Sequence, residues 1–171
     1  MNTDEGAIDR LVARVREEGF ADRFHVVVGD LASVDLRGDV VLFEFSLHTI
    51  WDAPSAIARA GMLAPEIVVM DHAPGSPWSW FTSEDQGVVD GWAAVRRTAI
   101  VRQTSVDAVQ RFSDYTALQI RMRHQGSTSQ ARIEEFASIA PIEIAMPYRL
   151  ALLAGASVHP LRAPQNFRIG S

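Results

Sequence analysis

The apolar positions change their period along this chain. Ile8, Leu11, Val12 and Val15 recur three and four apart, with Arg10, Arg14 and Arg16 falling elsewhere on the wheel. That spacing predicts an amphipathic helix over residues 4–18, with Asp4 as its cap and Gly19 as its stop. Residues 24–28 (FHVVV), 40–45 (VVLFEF) and 67–70 (IVVM) are short, uninterrupted and rich in valine and phenylalanine. Such runs predict strands buried on both faces. Between the last two lies an alanine-rich stretch of helical length, residues 54–63, with Pro54 where a first helical turn tolerates it. Strand, helix and strand in this order predict a parallel pair joined by a right-handed crossover.

After Met70 the sequence DHAPGSPWSWF is dense in proline and glycine and leaves regular structure. A long helical region is predicted next. Val88, Trp92, Val95 and Ala99 form one stripe, and Val109, Phe112, Thr116 and Ile120 form another that ends at Gly126. Trp92, Phe112 and Tyr115 read as core residues. Residues 127–136 predict a further short helix opened by Ser127 or Ser129. Residues 141–153 are β-prone but interrupted by Pro147, which favours an edge strand or a bulge. The proline-spaced segment from Ser157 reads as a loosely held arm.

Composition narrows the chemistry. The 171 residues, 47% of them hydrophobic, suffice for one ordinary domain. A net charge of −5 argues against a surface built for nucleic-acid phosphates. With no cysteine, disulfides, thiolate zinc sites and cysteine nucleophiles are excluded. No apolar run reaches membrane-spanning length, and the polar, acidic N-terminus does not read as a signal peptide, so a cytoplasmic protein is expected. There is no GxSxG elbow, HExxH pair or phosphate loop, and the five histidines lack metal-ligand spacing, so no metal is expected.

In open α/β sheets ligands sit beyond the carboxyl ends of the parallel strands. Three turns therefore hold the functional candidates: Gly29-Asp30, Glu44 to His48, and Asp71-His72. Asp30 can equally cap its own turn. His48 suits a packed or capping role as well as a catalytic one. Glu44, if buried at a strand end, requires a partner, because an unpaired buried acid costs several kcal/mol. His72 can take a proton from a hydroxyl near neutral pH. Trp78, Trp80 and Phe81 can form a lid over a substrate or pack their loop onto the following helices.

The run FHVVVGDLASVDLRGDVVLFEFSLHTIWDAPSAIARAGMLAPEIVVMDHAPGSPW resembles the adenosyl-binding region of class I S-adenosylmethionine (SAM)-dependent methyltransferases. The resemblance extends over residues 4–153 and implies an α/β fold: a truncated Rossmann-like sheet of mostly parallel strands with flanking helices. It implies a partial methyltransferase domain over residues 1–156 and a tail over residues 157–171. Asp30 would accept from the adenine amino group, with Leu31 beside the ring. Phe43, Glu44, Phe45 and Ser46 would face the methionine portion of SAM. Asp71, Trp78 and Trp80 would meet a small-molecule acceptor, with His72, and secondarily His48, as catalytic groups. The family's glycine-rich GxGxG loop is missing, and the ribose-binding acid would fall at Asn2. Two strands that lie between the family's third and fourth are thereby lost. Residues 24–28 must then pair directly with residues 40–45, or a homodimer or second chain must complete the sheet. Two functions follow: methyl transfer to the oxygen or nitrogen of a small acceptor, or a non-catalytic remnant that serves as a binding or dimerisation module.

Overall fold

The computed structural model describes residues 5–155. The chain divides into two compact units, residues 1–34 and 35–171. Asn2, Asp4 and the tail from Ser157 lie outside the described residues.

In the first unit, helix α1 (Glu5–Glu17) forms where the three-and-four spacing places it. Gly19, at a φ of 75°, supplies the left-handed residue that ends it. The expected strand at residues 24–28 is absent: these residues carry no ladder. Phe24, Val26, Val27 and Val28 are all exposed. β propensity describes fit to a pleated surface with neighbours, and without a paired strand the run has nothing to fit.

In the second unit, strand β1 (Val40–Glu44), helix α2 (Ala53–Leu63) and strand β2 (Glu66–His72) form the expected crossover, with β1 and β2 parallel. Asp52 caps α2 by accepting from the Ser55 N–H at 3.0 Å, and the proline sits in the first turn. Helices α3 (Pro77–Phe81) and α4 (Asp85–Val95) follow, then strands β3 (Ile100–Val106) and β4 (Val109–Phe112). Helices α5 (Tyr115–Met122) and α6 (Ser127–Ile133) and strands β5 (Ile142–Ala145) and β6 (Tyr148–Ala154) complete the order. The main sheet runs β1-β2-β6-β3. β6 is antiparallel to both its neighbours, so the other three strands point the same way.

Two expectations are corrected here. The long helical region stops at Val95, and the stripe at 109–120 is broken, with Val109 to Phe112 in a strand paired to β5. Asp114 enforces the break by accepting from the Ala117 N–H at 2.9 Å and starting α5 afresh. Residues 141–153 do not make one interrupted edge strand. Pro147 falls between β5 and β6, outside both ladders, so no ladder donor is lost and β6 occupies the middle of the sheet.

One face of the sheet is dry: Phe43, Ile67, Val69, Ala151 and Leu153 are 5% exposed or less, and α2 packs against β1 and β2. A second core gathers Trp78, Phe81, Leu118, Met122, Ile133, Ile142 and Ile144 between α3, α5, α6 and the β4-β5 pair. Trp78 and Phe81 both pack into this second core. Trp92 is buried in the first core, while Phe112 and Tyr115 are partly buried against the second.

Candidate functional site

The carboxyl ends of β1 and β2 lie side by side, and the turns leaving them converge. β1 is followed by a left-handed residue, Phe45 (φ 43°), whose N–H donates to the Met70 carbonyl at 2.7 Å. A non-glycine residue held there stores about 1 kcal/mol or more of strain. The turn leads into a single 3-10 turn at Leu47–Thr49, which presents His48 to the end of β2.

Asp71, 2% exposed, organises this junction. Its Oδ2 accepts from the His48 N–H at 3.0 Å, and its Oδ1 accepts from the His72 N–H at 2.8 Å. Oδ1 also lies 2.6 Å from His48 Nδ1, a charge-assisted contact. On the other side of the ring, His48 Nε2 stands 3.6 Å from Glu84 Oε2, an ion-pair distance too long for a hydrogen bond. The Thr82 hydroxyl donates to the same Glu84 oxygen at 2.6 Å. Burial disfavours the charge on His48, but the Asp71 hydrogen bond and the two flanking carboxylates outweigh it and raise its pKa from 6.5 to about 9. Burial also disfavours the charge on Glu84, yet His48 and the Thr82 hydroxyl overcome it and pull that pKa below the usual range.

His72 responds in the opposite sense. Burial pushes its pKa down, Asp71 and Glu84 pull against this, the positive charge of His48 reinforces it, and the net direction is downward. Its ring stands 5.5 Å from that of His48 and 4.9 Å from that of Phe45. Its carbonyl accepts from the Trp92 indole N–H at 2.6 Å. Nδ1 is buried without a partner. At neutral pH the junction therefore holds one cationic and one neutral imidazole.

Both rings line a cavity of about 210 Å³ with Phe45, Trp78, Glu84 and Arg121. Close packing of α4 shapes it. A Cβ on Gly87 would come within 2.3 Å of the His48 carbonyl oxygen, so only glycine lets the helix approach this closely.

The predicted site residues are thus partly assembled. His48, Asp71, His72, Phe45 and Trp78 meet at one place. Phe43 points into the core, and Ser46 uses its carbonyl to accept from Thr49. Glu44 is exposed, which corrects the expectation of a buried acid seeking a partner. Trp80 lies in a different groove, with Pro77, Asp85 and Val89, beneath the Arg132 guanidinium at 4.5 Å. Asp30 and Leu31 belong to the first unit, where the Asp30 carboxylate accepts from the Ala32 N–H at 3.0 Å and caps its own turn. Sequence reasoning missed Glu84, Thr82 and Arg121. Glu84 carried a weak signal, an acid just before a helix, but its carboxylate makes no cap hydrogen bond and turns to His48 instead. Among the described residues no group of three or more acids and histidines is placed to hold a metal.

The fold has solved counterparts. A candidate methyltransferase from Bacillus halodurans C-125 superposes with a TM-score of 0.57 at 10% identity, over 84% of this chain and 78% of that one. The fold is class I methyltransferase-like. A candidate RNA methyltransferase from Pyrococcus horikoshii matches with a TM-score of 0.49 at 10% identity, over 90% of this chain and 61% of its own. The cyclase SpnF matches with a TM-score of 0.49 at 16% identity, over 84% of this chain and 61% of its own. No protein-family model matches the chain, and no curated protein matches it by sequence. Among the described residues no helix is long and apolar enough to cross a membrane.

The histidine cavity is small. At about 210 Å³ the cavity is below the roughly 300–1,000 Å³ usual for drug-sized ligands. Phe43, expected along the methionine portion, is 5% exposed and committed to the core.

Proposed function

We propose that this is a cytoplasmic protein that binds a small hydroxylated or amino compound in the histidine cavity, as the acceptor side of a methyltransferase. The observation that supports this most is the pairing of a cationic His48 with a neutral, buried His72 at the carboxyl ends of two parallel strands. A neutral imidazole is the form able to accept a proton from an acceptor hydroxyl or ammonium. With Nδ1 dry, the nitrogen left for that role is Nε2. His48, locked between Asp71 and Glu84, is no base at neutral pH; burial chiefly keeps His72 unprotonated, and the charge of His48 adds to that. Methyl transfer needs chiefly alignment plus a base, and alignment here falls to Phe45, Trp78 and the Glu84 carboxylate.

A second reading, a binding or dimerisation module without catalysis, draws support from the missing glycine-rich loop and from Phe43, which is buried in the core and not free to line a methionine site. Calorimetric titration with SAM and with S-adenosylhomocysteine separates the two. Micromolar binding of either is expected for a methyltransferase; no binding to the purified chain favours the second reading.

A further inference from the structure

The two faces of the main sheet differ. Strand registers put Val40, Leu42, Val68, Met70, Leu150 and Leu152 on the face opposite the dry one. Val40 and Leu42 are 47% and 55% exposed, and the other four are half-buried. An antiparallel sheet can leave one face to water, but that face is then ordinarily polar, and this one is apolar. Apolar side chains left on a sheet face are where a partner surface is to be sought. β1 is also a bare edge, paired on one side only.

Charge around the patch indicates what covers it. Glu44 on β1 and Glu66 on β2 are exposed at one side, and Arg102 on β3, opposite Leu152, is exposed at the other. Among the described residues none of the three has an ion-pair partner. A two-fold axis parallel to the strands, midway between two stacked sheets, turns the β1 side of one copy over the β3 side of the other. That operation sets Glu44 and Glu66 against Arg102 of the second copy and closes the apolar centre between them. Stacked sheets pack about 10 Å apart, within reach of these side chains. The patch is self-complementary, as an isologous interface requires.

We propose that this face is where two copies of the chain dimerise, sheet against sheet. The inference stands apart from the functional reading, since it uses no residue of the histidine cavity. Sedimentation velocity over a concentration series tests it on the full chain. The unaltered protein is expected to pass from monomer to dimer by tens of micromolar. Leu42→Asp should raise the dissociation constant at least about tenfold, the loss of one central apolar contact. Its far-UV circular dichroism should not change, because Leu42 is exposed in the single copy. Arg102→Glu should weaken the dimer, and adding Glu44→Arg and Glu66→Arg should restore it. A chain that stays monomeric, a dimer indifferent to Leu42→Asp, or a reversed-charge triple variant no tighter than Arg102→Glu alone would each overturn the proposal.

Discussion

Residues 24–30 and residues 67–72 read almost alike: three or four β-branched and apolar residues, then an aspartate. The first, FHVVVGD, carries no strand and leaves its valines exposed. The second, IVVMDH, lies within β2, paired on both sides, with Ile67 and Val69 at 1% and 0% exposure. The two aspartates diverge in the same way. Asp30 satisfies an N–H two residues away, whereas Asp71 reaches back 23 residues to hold His48. Local sequence supplies the same offer in both places. What differs is whether neighbouring strands and a helix accept it, and a site arises only where they do.

The largest expected effect tests that statement on stability. Ile67→Ala removes buried atoms from the sheet and should cost about 2–5 kcal/mol. Val27→Ala, at a side chain 57% exposed, should stay within about 0.5 kcal/mol. Urea midpoints followed by circular dichroism measure both. Comparable losses would mean that residues 24–28 are packed in solution and that the two regions are equals after all.

A smaller effect asks whether tertiary packing creates the Asp71 site. Gly87→Ala places a methyl 2.3 Å from the His48 carbonyl oxygen, so α4 or the 3-10 turn must move. Overpacking of this kind costs about 1–3 kcal/mol. As His48 loses its fit between Asp71 and Glu84, its pKa should fall from about 9 toward 6.5, read from imidazole chemical shifts in a pH titration. An unchanged pKa would show that β2 and the turn after β1 suffice without the helix.

The crossover unit was legible because residues 40–70 announce it locally: two apolar runs, a capped helix between them, and turn residues around them. His48, Asp71 and His72 were legible as candidates because topology puts the ends of parallel strands together. What remained hidden depended on partners distant in sequence. β3, exposed along nearly its whole length, offers no buried periodicity and forms because β6 lies beside it. The helical spacing of Val109, Phe112 and Thr116 was accidental, overridden by Asp114 and by pairing with β5. Glu84 could not be tied to His48 from sequence, since 36 residues and two helices separate them and only the packing of α4 brings them to 3.6 Å.

The two histidines make the same comparison at the scale of single side chains, and pH separates them. Folding raises the pKa of His48 to about 9, so its contribution is complete below pH 6.5 and is lost as the pH climbs through 9. Folding lowers the pKa of His72, so the unfolded chain binds that proton more readily. Its contribution is therefore complete above 6.5 and declines as the pH drops below that value. The sum predicts stability greatest near pH 6.5, falling toward both sides, with an alkaline loss on the order of 1–2 kcal/mol once solvent screening is allowed for. His48→Asn should flatten the alkaline limb between pH 6.5 and 9 and shrink the acid limb only in part, since burial is the larger cause of the His72 shift and the His48 charge the smaller, as followed by urea midpoints on both sides of pH 6.5. An alkaline limb that survives the substitution would place the titrating group elsewhere and free His48 to act as a base.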